Sequence, residues 1–413
     1  METCTKSQAS VPGREGRTFV SACLIALALF ALINVAVGAV KPPAPPSAEQ
    51  TLAKQTGPEP RDKSFTGWTA KAYVEQQQAP DIVVLGSSLM GTAVFVTDAQ
   101  YLKRDIDCVL YRRCSALEDA LRRRLGADVR AFNWSVGGEM MSDMYMIKSA
   151  LFQGRLKPKM VVVEVSPRDF IDNTLPYAGS TELFRFFARY VNLGDLAADA
   201  FPDLIARLEW EFDRLIPLRR FRVEGFQEPE IGEADQPVQL AGGNNVAVQA
   251  MFSIGKVRRG QWVVPPNVPN MFKDNTKEYQ KRFRNPETPL YAVERRFFER
   301  LLADLQASGI KAVVVSMPTL WPNRKLLPDS FWTRWNGDVQ TACRKYGAAW
   351  LDLSDSPEFN VNDYLDTVHM NASGGAKLFG RLAQAVADNP EIASVLAPAG
   401  NNVRLAGQRA VPH

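Results

Sequence analysis

Ile82-Val83-Val84-Leu85-Gly86-Ser87-Ser88-Leu89 is the stretch on which the fold turns. Four apolar, mostly β-branched residues run without interruption into a Gly-Ser-Ser turn. A strand buried on both faces of a parallel sheet reads this way, because neither face needs a polar side chain. Gly86 suits a tight turn. Ser88 then stands just beyond the carboxyl end of a strand, where open α/β sheets bind their ligands.

Four more short apolar runs follow: Val129 to Trp134, Met160 to Val165, Ala312 to Val315 and Ala349 to Leu353. Helical patterns lie between and after them. Over residues 292–308, Val293, Phe297, Leu301 and Leu305 recur four apart, and Gly309 stops the run. Over 139–152, Met140, Met144, Ile147 and Leu151 do the same, a methionine stripe expected to pack in a core. A last helix is expected over 372–388, after Asn371. Strands alternating with helices predict a doubly wound α/β domain with a five-stranded parallel sheet.

Well over a hundred residues separate the third and fourth strands. Residues 180–222 read as helical, with Leu183, Phe186, Phe187 and Tyr190 on one face. Residues 226–290 are rich in Gly, Pro, Asn and Gln. A stretch this long is expected to be functional or to carry its own structure. We read residues 170–290 as a large insertion near the site, with a disordered excursion over 226–250 as the alternative. The tail over 391–413 is polar and reads as mobile.

Residues 18–40 hold no charge, and a spanning helix needs about 20 apolar residues. Lys6, Arg14 and Arg17 precede them, so residues 1–17 are expected in the cytoplasm. This predicts a single-pass inner-membrane anchor over 18–40, a proline-rich linker over 41–64, and a periplasmic catalytic domain over 65–390. A signal peptide cleaved near Val37-Gly38-Ala39 is the rival reading, and it exports the same domain.

With 49 Lys and Arg against 45 Asp and Glu, the net charge of +4 gives no ground for nucleic-acid binding. The run Arg122-Arg123-Arg124 fits a solvated helix face. The five cysteines include no Cys-x-x-Cys pair. Cys108 and Cys114 are either a disulfide or two thiols. Asp352 and Asp355 lack a third ligand nearby, so neither a metal nor a cofactor is expected.

The chain has only two histidines, His369 and His413. His369 lies in Asp366-Thr367-Val368-His369-Met370-Asn371. A serine hydroxyl becomes a nucleophile when a base takes its proton, and imidazole suits that task near neutral pH. Asp366, three residues earlier, is near enough in sequence to orient the ring.

These blocks occur in an order that resembles the SGNH/GDSL hydrolase superfamily over roughly residues 80–390, the insertion excluded. The resemblance implies a flavodoxin-like sheet, with Ser88 in Gly86-Ser87-Ser88 as nucleophile. It implies that the amide of Gly138, in Asn133-Trp134-Ser135-Val136-Gly137-Gly138, and that of Ser88 donate to the oxyanion. Asp366 and His369 complete the triad. The third block departs from the family pattern. Arg168, in Val165-Ser166-Pro167-Arg168-Asp169, stands where an asparagine is usual. It can serve the oxyanion or an anionic substrate, or pair with Asp169 or Asp172.

The resemblance is strongest to membrane-anchored bacterial O-acyltransferases of cell-surface polymers, of the D-alanine transfer protein and alginate O-acetyltransferase type. It implies an acylated donor, a polysaccharide acceptor and a multispanning membrane acyltransferase as partner. The alternatives are a periplasmic carbohydrate esterase and a non-catalytic polysaccharide-binding scaffold. Trp321 and Asn371 are expected at the substrate. Trp321 is read as a sugar-stacking platform or as a core residue.

Overall fold

All five apolar runs form strands of one parallel sheet in a computed structural model that describes residues 22–32, 47–55, 57–215, 256–269 and 272–397. They are β1 (Ile82–Leu85), β2 (Ala131–Asn133), β3 (Met160–Val165), β4 (Lys311–Ser316) and β5 (Ala349–Asp352). Their spatial order is β2-β1-β3-β4-β5. Ile82 lies opposite Ala131 on one side and Met160 on the other, and Val313 lies opposite Ala349. Every residue of β1 and β3 is buried, which is why neither strand alternates apolar with polar.

The order reverses at β1, so right-handed crossovers send successive helices to opposite faces. The helices segregate accordingly. Among them, α2 (Ser88–Leu102), α3 (Ser115–Leu125) and α7 (Ala372–Asp388) contact one another. On the other side α4 (Met141–Leu151), α5 (Pro289–Ala307) and α6 (Asp329–Lys345) are linked through α5. The methionine stripe of α4 is core: Met140, Met144, Ile147 and Leu151 are all buried. Trp134 anchors an aromatic cluster with Tyr73, of helix α1 (Phe65–Val74), and with Phe187.

The described residues fall into two units. The larger, Pro45–Pro202 with Ala234–His413, carries the sheet and every residue of the candidate site. The smaller, Met1–Ala44 with Asp203–Glu233, shows helix 22–32 and helix Leu204–Leu215. No helix among the described residues is long and apolar enough to cross a membrane. Of the anchor expected over 18–40, residues 22–32 are helical and exposed. The rest lies outside the described residues, as do Cys4, residues 216–255 and the tail from 398 on.

Several expectations are corrected. The 41–64 linker is not spacer throughout: Ser47 caps a helix, Ala48–Ala53, that buries Ala48 and Leu52. The proline cluster ends at Pro46, and a serine cap directly after it restarts regular structure. The tail does not begin at 391, because helix Pro390–Leu396 buries Ile392, Ala393 and Leu396. Asn389 caps it and Pro390 takes the first turn, a start signal overlooked in a polar context. Cys108 and Cys114 are both buried and free. A short antiparallel ribbon pairs Ile106–Asp107 with Val263–Val264, from within the insertion, and no periodicity announced it.

Candidate active site

Ser88 is the first residue of α2, and Ser87 is its cap. A helix start leaves four amides without intrahelical acceptors. Here Leu89 N donates to Ser87 Oγ (3.4 Å), Met90 N to Glu164 Oε2 (3.4 Å) and Gly91 N to Ser87 O (3.0 Å). The Ser88 amide has no acceptor among the described residues. Glu164, on β3, also takes the Ser87 amide (2.6 Å) and hydroxyl (3.1 Å), so one buried carboxyl shapes the whole turn. Gly86 is required by space rather than by dihedral freedom. A Cβ there would lie 2.4 Å from Glu164 Oε2 and 2.7 Å from the Cβ of Met90.

The loop before α7 brings in the other two residues. Leu365 N donates to His369 O (2.8 Å) and closes a tight turn. Inside it, Asp366 Oδ1 accepts from the amides of Val368 (2.9 Å) and His369 (2.7 Å). Asp366 Oδ2 lies 2.7 Å from His369 Nδ1, and His369 Nε2 lies 2.9 Å from Ser88 Oγ. An ionised carboxylate only accepts, so Nδ1 carries the proton and Nε2 is free to accept from the serine hydroxyl. Burial alone would raise the Asp366 carboxyl. The His369 ring and the hydrogen bonds from His369 and Val368 outweigh it and leave Asp366 below its usual value.

The glycine loop after β2 runs alongside. Trp134 N donates to Val84 O (2.8 Å) and Val136 N to Gly86 O (3.0 Å), which ties the loop to the strand that ends at the serine turn. Gly138 has φ +80°, a left-handed conformation that favours glycine. Its amide, like that of Ser88, has no acceptor among the described residues.

Arg168 is buried, and its guanidinium is spent on the protein. Nη1 donates to Glu139 O (2.8 Å), Nη2 to Gly138 O (3.0 Å) and Nε to Asp172 Oδ2 (3.1 Å). It touches the glycine loop after β2 from its carbonyl side, so the expected direct role at an oxyanion or a substrate gives way to contacts that hold that loop. Asp172 stays below the usual carboxylate range. Burial opposes this, but Arg168 and Arg282 prevail.

Asn371 is corrected as a substrate residue. Its Oδ1 caps α7, accepting from Ser373 N (2.9 Å) and Gly374 N (3.1 Å), and its Nδ2 donates to Asn362 O (2.7 Å). Trp321 is 64% exposed, with Lys325 Nζ 4.0 Å from its ring centroid, so it is not a core residue. Two residues on, Asn323 Nδ2 donates to Thr367 Oγ1 (2.6 Å), beside Asp366. Asp352 accepts from Ser354 and Asp355 pairs with Arg324. Among the described residues no group of three or more His, Cys, Asp or Glu is arranged to hold a metal ion.

Beside Asp169, which the sequence offered as a partner for Arg168, four buried acids went unnoticed in the sequence: Glu139, Asp143, Glu164 and Glu294. Burial raises all five, Asp143 to about 7. Glu164 had a signal, being the lone charge in an apolar strand. Asn275, which accepts from the Thr367 amide (3.1 Å), had none. No family model matches the chain and no curated protein does either, which leaves the geometry of the site as the ground for a functional reading.

Proposed function

We propose that the chain is an SGNH-type serine O-acyltransferase that moves an acyl group, acetyl in the simplest case, onto a cell-surface or secreted polysaccharide. The observation that carries this is the Asp366–His369–Ser88 relay, with its 2.7 Å and 2.9 Å contacts. In the first step His369 Nε2 takes the Ser88 proton as Oγ attacks the ester carbonyl. The oxyanion is met by the free amides of Ser88 and Gly138. The ester C–O bond then breaks, and the leaving alkoxide takes the proton from the imidazolium. In the second step a sugar hydroxyl gives its proton to His369 and attacks the acyl-serine, regenerating Ser88.

The exported, membrane-anchored setting and the multispanning acyltransferase partner remain part of the proposal. The setting is supported by the uncharged run over 18–40, and the partner by the family resemblance alone. Exposed Trp321 is the candidate platform for a sugar ring. Plain hydrolysis is the second reading, favoured by the part-exposure of Ser88, which lets water reach an acyl-serine. A binding scaffold would need no proton relay.

Covalent labelling by a fluorophosphonate is the test. Wild type should gain one adduct at Ser88, and Ser88→Ala none. Absence of labelling in wild type would sink the reading. With an acylated donor, acyl transfer that needs a sugar acceptor supports the transferase. Free acid released at the same rate without acceptor supports the esterase.

A further inference from the structure

The segment 272–283, at the end of the insertion, touches both halves of the site. At its start Lys273 N donates to Leu365 O (2.9 Å), and Lys273 pairs with Asp366 as an isolated parallel bridge. Asn275 Oδ1 accepts from the Thr367 amide (3.1 Å) and from the Thr367 hydroxyl. These bonds hold the turn that carries Asp366 and His369. Helix Thr276–Arg282 follows. At its end Arg282 donates to Asp172 Oδ2, and Arg282 O accepts from Asn173 N (2.9 Å). The same Asp172 oxygen accepts from Arg168 Nε (3.1 Å), and Arg168 holds the carbonyls of Gly138 and Glu139. Asp172 Oδ1 is taken by Thr174 N (3.0 Å) and Thr174 Oγ1 (2.6 Å), so both carboxylate oxygens are occupied.

We infer that residues 272–283 form a strap that sets the acid–base loop against the oxyanion loop, and that Arg168 is a positioning residue reached by the strap through Arg282 and Asp172. This rests on the acyl-transfer reading of the site for its catalytic meaning, not for its structure. Two features argue for it. Arg168 meets the oxyanion loop through the carbonyl oxygens of Gly138 and Glu139, so it anchors Gly138 through the peptide that follows it and leaves the Gly138 amide without a competitor. Asp172 is a buried carboxylate shared by two guanidiniums, one on each side of the link, and a shared ion couples the placement of both. The strap explains how an insertion far along the chain makes one site of two loops that have separate local supports.

Amide hydrogen exchange on the full chain tests the strap without needing turnover. Arg282 is a quarter exposed, so Arg282→Gln is expected to fold. It should speed exchange of the 136–140 amides by about 10-fold, the worth of one charge-assisted hydrogen bond, and that of the 365–369 amides by less. Asn275→Ala should do the reverse. Unchanged exchange in both loops, or loosening confined to the loop that each residue touches, would overturn the strap.

The fluorophosphonate labelling rate at Ser88 tests the positioning role. Arg282→Gln should slow it about 10-fold by the same hydrogen-bond value. The double variant with Arg168→Gln should be no slower than Arg168→Gln alone, because one chain of contacts is cut twice. Multiplying effects, or a rate equal to wild type in Arg282→Gln, would overturn the role. If wild type itself is not labelled, the proposed function fails, and exchange alone decides the strap.

Discussion

Glu164, on β3, brings a buried carboxyl to the serine turn and Asp366, in the loop before α7, brings one to His369, yet the protein treats them oppositely. Their exposures, 0% and 4%, are nearly equal, so burial does not separate them. Their partners do. Asp366 receives an imidazole and two amides, and the net effect holds it ionised. Glu164 receives two amides and a hydroxyl but faces Asp169, and with burial leading it is pushed up. Between these two acids the difference lies in the neighbour, an imidazole beside Asp366 and a second carboxyl beside Glu164. The charged one can orient His369 and balance an imidazolium. The one pushed up builds the turn that presents Ser88.

The sharpest way to break this contrast is to neutralise each acid in turn. Asp366→Asn should slow labelling at Ser88 by about 10⁴-fold, the usual cost of losing the orienting carboxylate. Glu164→Gln, which keeps an acceptor oxygen, should change it by less than about 10-fold. Comparable losses in the two would sink the division of roles. Truncation asks the architectural half of the question. Glu164→Ala strands the buried amides of Ser87 and Met90 and should cost about 2–4 kcal/mol in urea unfolding. Gly86→Ala drives a methyl against the same carboxyl and should cost about 1–3 kcal/mol.

The pH dependence of stability, read from melting temperatures, tests the same contrast without touching the serine turn. Asp366 lies below its unfolded value, so its contribution is present above that value and is lost as pH falls through the folded one. The raised acids work the other way. Asp143, pushed up to about 7 from 3.8, contributes fully below pH 3.8 and loses that contribution as pH rises through about 7. Asp143→Asn should flatten the decline between these two values. A decline of unchanged slope would show that Asp143 is already ionised in the fold.

Much of this was legible in the chain. Each strand announced itself as an uninterrupted apolar run, and α7 began where Asn371 capped it, because these signals are local. The hydrogen-bonded set of Ser88, Asp366 and His369 was readable because each residue was constrained by position or scarcity. Arg168 was harder. Whether it faced a substrate or the protein depended on the carbonyls of Glu139 and Gly138, which meet it from 29 and 30 positions away. Asn371 looked available for substrate only until its capping bonds were counted. Trp321 looked as suited to a core as to a surface, since residue type alone does not tell the two apart.

By itself, then, the sequence determined the strands, their helices and the identity of the three residues in the relay. Hydrophobic period, cap residues and a single internal histidine are properties of short segments. Only the tertiary structure decided which carboxyls are pushed up and which are held down, what Arg168 holds, and that segment 272–283 bonds to both Asp172 and the turn that carries Asp366. Those outcomes depend on the distance between groups far apart in the chain, and electrostatic and hydrogen-bond energies are set by that distance rather than by sequence separation.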